Sequence, residues 1–285
     1  MKKIILCPNP ARDAGLACAK KYYDLFKKAG AEVYICPVLT KEWGGILPAG
    51  NYPELENVMI GADAVIVFGG DGTILHVARK IASTDISILG VNLGKKGFIA
   101  ELEHCDDNKI LKIIDGDYTI ENRMMLDVSV YREGREVLSD FALNDIVVGG
   151  IARIIDITVS SDYGDIITFP GDGLVVATPT GSTAYSMSAG GPIVEPSVEN
   201  IIITPVCAHI LMAKSYILRS DRKVCVTIGR LGTKSAYVST DGGQSFALHT
   251  GDIIVIKRSN FVTRLVKLSD TSFYEKLSKK LGELR

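Results

Sequence analysis

The chain has 285 residues, of which 47% are hydrophobic and 23% charged, and this composition excludes a disordered or fibrous protein. At about 150 residues per domain, its length favours two domains. The formal net charge of −1 gives no electrostatic case for nucleic acid or an anionic membrane as a partner, so local basic groups must bind any phosphate.

Cysteine usage and hydropathy predict a cytoplasmic protein. The six cysteines are scattered and form no C-x-x-C pair, a pattern typical of free thiols in a reducing compartment. The first apolar run, residues 4–6, is too short for the core of a signal peptide. No apolar run approaches the ~20 residues that span a bilayer.

The first part of the chain, residues 1–120, alternates short apolar runs with helical periodicity. Predicted strands cover residues 4–6, 32–36, 64–68 and 86–91, and predicted helices cover 12–28, 74–82 and 108–114. Because strands that alternate with helices pair in parallel, we predict an α/β domain with a Rossmann-like parallel sheet. Ligands of such sheets bind at the carboxyl ends of the strands, where residues 69–73 and 92–97 fall.

The second part of the chain, residues 121–270, favours strands joined by tight turns. The predicted strands lie within residues 124–148, 154–161, 166–177, 224–229, 235–239, 253–256 and 261–266. Several strands at short spacing predict a β-rich domain. Helical periodicity returns at 273–281, which predicts a C-terminal helix within 271–285.

A glycine-rich turn between the third strand and the next helix is the most informative segment. It consists of Gly69, Gly70, Asp71, Gly72 and Thr73. Its glycines let the backbone approach a ligand, and the helix that follows directs its first N–H groups and the positive end of its dipole into the turn, which suits phosphate. Asp71 would repel phosphate unless a metal ion bridges the two or the carboxylate takes a proton from an attacking hydroxyl, and this favours a kinase. An ordinary tight turn is the alternative, since turns use Gly and Asp anyway.

Two neighbouring features add to this phosphate-binding hypothesis. His76 lies one turn inside the helix, where it either reaches a phosphate or ribose or stays a solvated surface residue. Residues 92–98 follow the fourth strand and carry two glycines around two lysines, which indicates either a phosphate-facing loop or a solvated one.

A polar pair, Asn144 and Asp145, interrupts the apolar run 141–148. Because such a pair is costly to bury without partners, it either caps a local turn or presents an amide and a carboxylate to a base edge and ribose hydroxyls. Arg153 is the nearest cation, and it is either a phosphate contact or a surface residue.

Hydroxyl side chains dominate the segment 171–196, which begins with Asp172 after a glycine. They suit a nucleoside pocket, because they offer donors, acceptors and the aromatic face of Tyr185. Ser182 and Thr183 would alternatively cap a helix that starts near Ala184, and both interpretations can hold together. The candidate pocket residues are Thr183, Ala184, Tyr185, Ser186 and Ser188.

Other chemistries find no support in the sequence. The four histidines share no metal-ligand spacing, and neither a G-x-S-x-G elbow nor a Rossmann G-x-G-x-x-G is present. These absences argue against a hydrolase, a protein metal centre and a dehydrogenase.

These motifs resemble those of the NAD kinases over most of the chain. The resemblance rests on GGDGT at 69–73, NLGKKGF at 92–98, LND at 143–145 and DGLVVATPTGSTAYSMSAGGPIVEP at 172–196. It implies an α/β domain and a β-rich domain with a nucleotide crevice between them. It also implies phosphoryl transfer from ATP, with Mg²⁺ or another divalent cation, to the adenosine 2′-hydroxyl of NAD, and a dimeric or tetrameric assembly.

The resemblance also implies roles for individual residues. Asp71 would be the general base, and the glycine turn would hold the donor phosphates. Asn144 and Asp145 would hold the acceptor's adenosine, and Asp172 would lie near the nicotinamide. Thr183, Ala184, Tyr185 and Ser188 would line the adenine and ribose pocket, with Gln244 as a further carry-over.

Two departures from the family pattern affect these expectations. Asp145 stands where the family usually has Glu, so the ribose contact would shift or pass through water. The segment 204–211 lacks a proline and a serine that the family has around His209, so no contact is carried over from it. A lipid or sphingoid kinase of the same GGDGT class and a catalytically silent nucleotide sensor are the alternatives.

Overall fold

Two units make up the chain in the computed structural model, which describes residues 1–38, 47–94, 97–103, 106–210 and 213–282. One unit is Met1–Asn122 with Thr263–Arg285, and the other is Arg123–Val262. Residues 263–270, which we placed with the β-rich part, therefore lie with the α/β part. The bounds of the functional domains, 1–120, 121–270 and 271–285, stay a prediction.

The first unit is an α/β layer with a parallel sheet. Its strands pair in the order β2-β1-β3-β4, and a short β5 pairs with β4, all in parallel register. The strands are β1 Lys3–Pro8, β2 Glu32–Ile35, β3 Ala64–Gly69, β4 Ser87–Asn92 and β5 Leu102–Glu103. The helices are α1 Ala17–Lys28, α2 Leu55–Val58, α3 Asp71–Ile81 and α4 Asp107–Asp115.

Continuous apolar runs form β3 and β4 because both faces of this sheet are covered. Every residue of the two strands is buried, as is typical of a parallel sheet flanked by helices. Tyr22 and Phe26 of α1 are fully buried in the same cluster as Phe68, and the Tyr22 and Phe68 rings stack with centroids 5.6 Å apart. Burial of side chains of this size contributes roughly 1.5–3 kcal/mol each, so this cluster holds α1 on the sheet.

Two predicted helix starts differ from the structure. The helix predicted from residue 12 begins at Ala17, since the Asp13 carboxylate accepts the N–H groups of Cys18 and Ala19 and Leu16 has a left-handed φ of 57°. The helix predicted from residue 74 begins at Asp71, which places this carboxylate in the first helical turn instead of in a preceding loop.

The second unit consists of antiparallel strands in two groups. One group has the order β10-β9-β14-β17 with the β6–β7 hairpin, and the other has the order β13-β12-β11-β8-β15-β16. These strands are β6 Thr119–Arg132, β7 Arg135–Ala142, β8 Asp145–Gly150, β9 Ile155–Ser161, β10 Gly164–Gly171, β11 Gly173–Ala177, β12 Asn200–Val206, β13 Tyr216–Arg219, β14 Val224–Ile228, β15 Ala236–Thr240, β16 Phe246–Leu248 and β17 Ile253–Lys267.

One buried cluster joins the two strand groups of this unit. It takes Ile157 and Val226 from the first group and Val148 and Val176 from the second, all fully buried. Side chains of both groups therefore share one core, as in a β-sandwich. The β-rich prediction for this part of the chain is confirmed.

The end of the chain differs in one respect from the sequence prediction. The two strands predicted at 253–256 and 261–266 are one strand, β17, because the polar residues 257–260 continue the extended backbone instead of turning. Its last residues pair in parallel with β4, with Arg264 opposite Ser87. The C-terminal helix is α6, Phe273–Gly282. Among the described residues, no helix has the length and apolar character that crossing a bilayer requires.

Candidate functional site

The glycine turn of the first unit lies at the carboxyl end of β3, where α3 begins. Gly69 is the last residue of β3, and the extended Gly70 is the N-cap of α3 without a side-chain cap. A Cβ on Gly69 would collide with the side chain of Thr73, so only glycine lets the first helical turn approach the strand end this closely. The start of α3 thus combines unshielded backbone N–H groups with the positive end of the helix dipole, an arrangement suited to an anion.

Thr73 supports this turn through its side chain. Its hydroxyl is buried and accepts a hydrogen bond of 3.0 Å from the amide of Asn9, and its N–H donates to the carbonyl of Gly70 at 2.9 Å. Asn9 in turn donates its own N–H to Phe68 at 2.8 Å. Sequence analysis missed Asn9, since nothing near it in the chain marks it as a partner of residue 73.

The Asp71 carboxylate is fixed by the backbone of the segment 97–100. Its oxygens accept the N–H of Phe98 at 2.7 Å and that of Ile99 at 3.2 Å. A Cβ on Gly97 would lie 2.6 Å from Asp71 Oδ1, so glycine is required for this close approach. Burial raises the pKa of the Asp71 carboxyl, although these N–H groups and the charge of Lys280 oppose the rise. A carboxyl group with a raised pKa is better suited to accept a proton than a solvated one.

His76 lies on α3, one turn beyond the carboxylate. Its side chain is half-buried, and burial lowers the pKa of the imidazole, with the charges of Lys80 and Arg79 acting in the same direction. The ring is therefore neutral at physiological pH and offers one donor and one acceptor nitrogen. Whether it contacts a nucleotide stays a prediction.

The described part of the loop after β4 adjoins the glycine turn. Leu93 donates its N–H to the carbonyl of Gly69 at 2.9 Å, and Gly94 donates to the side chain of Asn92 at 2.9 Å. The loop therefore continues the backbone surface of the turn. Lys95 and Lys96, the two cations predicted to face phosphate, lie outside the described residues.

In the second unit, the Asp241 carboxylate holds the segment that carries Asn144 and Asp145. It accepts the N–H groups of Leu143 at 2.8 Å, Asn144 at 2.7 Å and Asp145 at 3.1 Å. Asp241 has a left-handed φ of 50°, which Asp adopts more readily than most residues. Sequence analysis missed the role of Asp241, because the two segments are almost a hundred positions apart in the chain.

Both residues of the polar pair are buried. Asn144 Oδ1 has no hydrogen-bond partner among the described residues, although such atoms are usually paired when buried. Burial and the nearby charge of Asp241 raise the pKa of Asp145 to about 7, and the N–H of Tyr185 opposes this rise. An unpaired amide oxygen and a carboxyl that titrates near neutrality are both costly to bury in a folded protein. That the pair presents these groups to a ligand stays a prediction.

Most hydroxyls of the segment 178–186 form hydrogen bonds within the protein. Thr178 donates to the carbonyl of Leu143 at 2.6 Å, and Ser182 donates to the carbonyl of Val194 at 3.1 Å. Ser186 pairs with Thr204 at 3.2 Å, and Thr183 donates to Thr180 at 3.3 Å. These hydroxyls therefore satisfy buried backbone and side-chain groups, and the place of Thr183 and Ser186 in a nucleoside pocket stays a prediction.

The capping interpretation of Ser182 and Thr183 is wrong. The N-cap of the short helix α5, Tyr185–Ser188, is Ala184, and no side chain caps it. Gly181 lies so close to the backbone of Asn144 that a Cβ there would overlap the Asn144 carbonyl, so the turn 180–183 packs directly on the polar pair. Tyr185 and Ser188 are exposed and free to face a ligand from α5.

A pocket of about 380 Å³ lies within the second unit and brings together three of the predicted residues. Arg153, Asp172 and Tyr185 line it, and Gly149 and Gly173 give it a flat backbone floor. Burial, followed by the nearby Tyr237, Cys207 and acidic groups, raises the pKa of the Tyr185 hydroxyl, which therefore stays a donor. Ser188 and Gln244 are not among the lining residues, and their roles stay predictions.

Sequence analysis missed one contact of Asp172, a residue that lines this pocket. The Cys207 thiol donates to the Asp172 carboxylate, and this hydrogen bond raises the pKa of the thiol. Asp172 therefore has a thiol partner, and it lines the same pocket as the Arg153 cation. Among the described residues, no group of three or more His, Cys, Asp or Glu side chains is placed to hold a metal ion.

This fold and these groups define an α/β phosphotransferase of the GGDGT class that acts on an alcohol. The models of the ATP-NAD kinase N-terminal and C-terminal domain families match residues 52–118 and 144–268. The chain is 40% identical to an NAD kinase of Natranaerobius thermophilus over 99% of this chain and 98% of the relative, and 36% identical to one of Acetivibrio thermocellus over 99% and 97%. The chain belongs to the NAD kinase family.

Solved structures agree with this fold. A crystal structure of yeast NADH kinase complexed with NADH superposes with a TM-score of 0.81 at 23% identity, covering 99% of this chain and 88% of that one. An NAD kinase from Archaeoglobus fulgidus in complex with ATP superposes with a TM-score of 0.74 at 26% identity, covering 99% of each chain. The predicted fold class, an α/β domain with a β-rich domain and a C-terminal helix, is confirmed.

Proposed function

We propose that this protein is an NAD kinase, which transfers the terminal phosphoryl group of ATP to the 2′-hydroxyl of the adenosine ribose of NAD and so forms NADP. The observation that carries this assignment is the match to NAD kinases over 99% of the chain. The lipid or sphingoid kinase alternative is not favoured, since both family domains that match are those of ATP-NAD kinases.

Asp71 is the residue proposed to receive the proton. In the reaction the 2′-oxygen forms a bond to the γ-phosphorus, the bond from that phosphorus to the β-phosphate oxygen of ADP breaks, and the hydroxyl proton passes to the carboxylate. The fixed position of this carboxylate against Phe98 and Ile99 supports the role, because a base must be held within hydrogen-bond reach of the hydroxyl. The glycine turn, Gly69, Gly70 and Gly72 with Thr73, is proposed to hold the donor phosphates through backbone N–H groups and the dipole of α3.

Asn144 and Asp145 are proposed to bind the adenosine of NAD. The unpaired Asn144 Oδ1 is suited to accept from an exocyclic amine, and an ionised Asp145 is suited to accept from ribose hydroxyls. Asp145 is shorter by one methylene than the glutamate that the resemblance leads us to expect, so we propose a contact that is shifted or passes through water. Asp172 and Arg153 are proposed to bind the nicotinamide end and a phosphate, since both line one pocket with Tyr185.

Several further features are proposed and untested. A divalent cation such as Mg²⁺ would screen the phosphate charges and would be held through the nucleotide. A cytoplasmic location and a homo-oligomer, dimer or tetramer, are also proposed. Light scattering with size-exclusion chromatography tests the assembly, and a monomer would refute that part.

The function is tested by incubating the protein with ATP, Mg²⁺ and NAD and measuring NADP with an NADP-specific dehydrogenase. Parallel reactions contain diacylglycerol as acceptor, NADH in place of NAD, or inorganic polyphosphate in place of ATP. NADP formation without lipid phosphorylation is the expected result. Tight NAD binding without NADP would instead favour the silent nucleotide sensor.

A further inference from the structure

The C-terminal helix α6 holds the segment 97–103 through two ion pairs. Lys276 Nζ lies 2.7 Å from Glu101 Oε2, and Lys280 Nζ lies 2.5 Å from Glu103 Oε1. The Lys280 side chain is only 10% exposed although it lies near the end of a terminal helix, so its charge is directed inward. An ion pair that is exposed to solvent contributes little to stability, whereas one that is shielded from solvent holds its two side chains in a fixed geometry.

Glu101 makes the first of these attachments rigid. Its carboxylate is 3% exposed and accepts from Lys267 at 2.8 Å as well as from Lys276. It also accepts two backbone N–H groups, those of Leu268 and Ser269, each at 3.1 Å. The segment 97–103 is therefore tied both to the end of β17 and to α6.

Lys280 connects this attachment to the glycine turn. The carboxylate that it pairs with, Glu103, also accepts from the Asn92 amide at 2.7 Å, and Asn92 in turn accepts the N–H of Gly94 at 2.9 Å. On the other side, Lys280 Nζ lies 5.7 Å from the centre of the Phe98 ring, and Phe98 donates its N–H to Asp71. A single ammonium group thus pairs with Glu103 and lies near the ring of Phe98, at the two ends of the segment 97–103.

We propose that Lys280 is a positioning residue, which through Glu103 and Phe98 keeps the backbone of 97–100 in the geometry that holds the Asp71 carboxylate. This inference rests on the proposed function of Asp71 as the proton acceptor. In agreement with it, the charge of Lys280 lowers the pKa of the Asp71 carboxyl against the larger raising effect of burial.

The test compares Lys280→Met, which keeps the aliphatic stem, with Lys280→Arg, which keeps the charge. Lys279→Met is the matched control, because Lys279 is exposed on the same helix. We expect Lys280→Met to lower kcat about tenfold, with the KM for NAD changed less than twofold. We also expect the acidic limb of the pH profile of kcat to move to higher pH, because loss of the cation disfavours the ionised form of Asp71. Lys280→Arg should have a kcat and an acidic limb close to those of the wild type, and so should Lys279→Met.

Amide hydrogen exchange of Phe98 and Ile99 gives a readout that does not depend on turnover. Both amides should exchange faster in Lys280→Met than in Lys279→Met, because the acceptor carboxylate is held less firmly. If Lys280→Met fails to fold, Glu103→Gln carries the same comparison, since an amide oxygen can still accept from Asn92.

The outcomes separate this inference from the proposed function. An acidic limb that stays in place, or exchange of Phe98 and Ile99 that stays at the control rate, overturns the positioning role. The positioning role is also overturned if Lys280→Met loses kcat and stability to the same extent while the acidic limb of the pH profile stays in place. That result would show that Lys280 only stabilises the packing of α6. If the wild type forms no NADP, the proposed function fails, and the exchange rates alone then decide whether Lys280 positions Asp71.

Discussion

Asp145 and Asp241 are locked to each other by reciprocal backbone contacts. The N–H of Asp145 donates to the Asp241 carboxylate at 3.1 Å, and the N–H of Asp241 donates to the Asp145 carbonyl at 2.9 Å. The carboxylate that fixes this strand end also places a negative charge near the Asp145 carboxyl, and with burial it raises the pKa of Asp145 to about 7. Structural support and electrostatic tuning therefore come from one residue, and both can be tested.

NAD binding should depend on pH through Asp145. Because the pKa of this carboxyl is about 7, it gains its charge as the pH rises through neutrality, and an ionised oxygen accepts ribose hydroxyls more strongly than a protonated one. We expect the Kd for NAD, measured by calorimetry, to fall about tenfold from about pH 6 to about pH 8. Asp145→Asn should remove this dependence, and the exposed Asp165→Asn should keep it. If the Kd for NAD still depends on pH in Asp145→Asn, the titrating group is a residue other than Asp145.

The same carboxyl should make the folded protein less stable at alkaline pH. A folded-state pKa of about 7 lies above the unfolded value of about 3.9, so the proton stabilises the folded state fully below pH ~4, and this contribution is lost as the pH rises through 7. Asp145→Asn should therefore raise the free energy of unfolding at about pH 8 by on the order of 2 kcal/mol and have little effect at about pH 4. Urea unfolding at both pH values measures this. Equal effects at the two pH values would contradict a proton-linked cause.

Asp241→Asn should lower both the free energy of unfolding and the pKa of Asp145. The amide keeps one acceptor oxygen, so at least one of the three N–H groups loses its partner, which should lower the free energy of unfolding by about 1–3 kcal/mol. Loss of the charge should also lower the pKa of Asp145, so the midpoint of the pH dependence of NAD binding moves to lower pH. An unmoved midpoint would show that burial alone raises the pKa of Asp145.

Apolar periodicity and glycine positions in the sequence predicted those strands, helices and turns that are determined by neighbouring residues. The turn at Gly69 and the strands around it follow from apolar periodicity and from glycine's freedom to let a helix approach a strand end. The start of α1 could not be predicted in this way, since it depends on the Asp13 carboxylate and on the left-handed Leu16. The single strand β17 was missed because a run of polar residues resembles a turn in sequence.

The parts of the site that were missed all depend on contacts between distant segments. Asn9 supports Thr73 from 64 positions away, and Asp241 holds Asn144 from 97 positions away. Ser182 was considered as a helix cap, but its hydroxyl bonds to the backbone of Val194, which only the folded chain brings near. The residue type indicates that a side chain can form a hydrogen bond, whereas the fold determines which group is its partner.

Asp71→Asn should lower kcat about 10²–10⁴-fold while the Kd for NAD stays nearly unchanged, because base catalysis is lost and ground-state binding is not. The structure adds a condition, since the new amide would direct an N–H group at the N–H of Phe98 or Ile99 and lose one of the two hydrogen bonds. Thermal unfolding must therefore accompany the kinetics, with the exposed Asp115→Asn as control. A variant that keeps a near-normal kcat would remove Asp71 from the role of base.

Gly97→Ala tests whether the position of the Asp71 carboxylate matters apart from its chemistry. The added Cβ would lie 2.6 Å from Asp71 Oδ1, closer than real Cβ atoms approach, and neither neighbour yields easily because backbone N–H groups hold the carboxylate. A displacement of about 1 Å at a reacting group costs on the order of 10²-fold in rate, so we expect kcat to fall by about that factor with the KM for NAD little changed. Gly282→Ala, which meets open space, is the matched control. If Gly97→Ala kept the kcat of the control, the close contact between the segment 97–100 and the carboxylate would have no part in catalysis, and Asp71 would act from whatever position the turn allows.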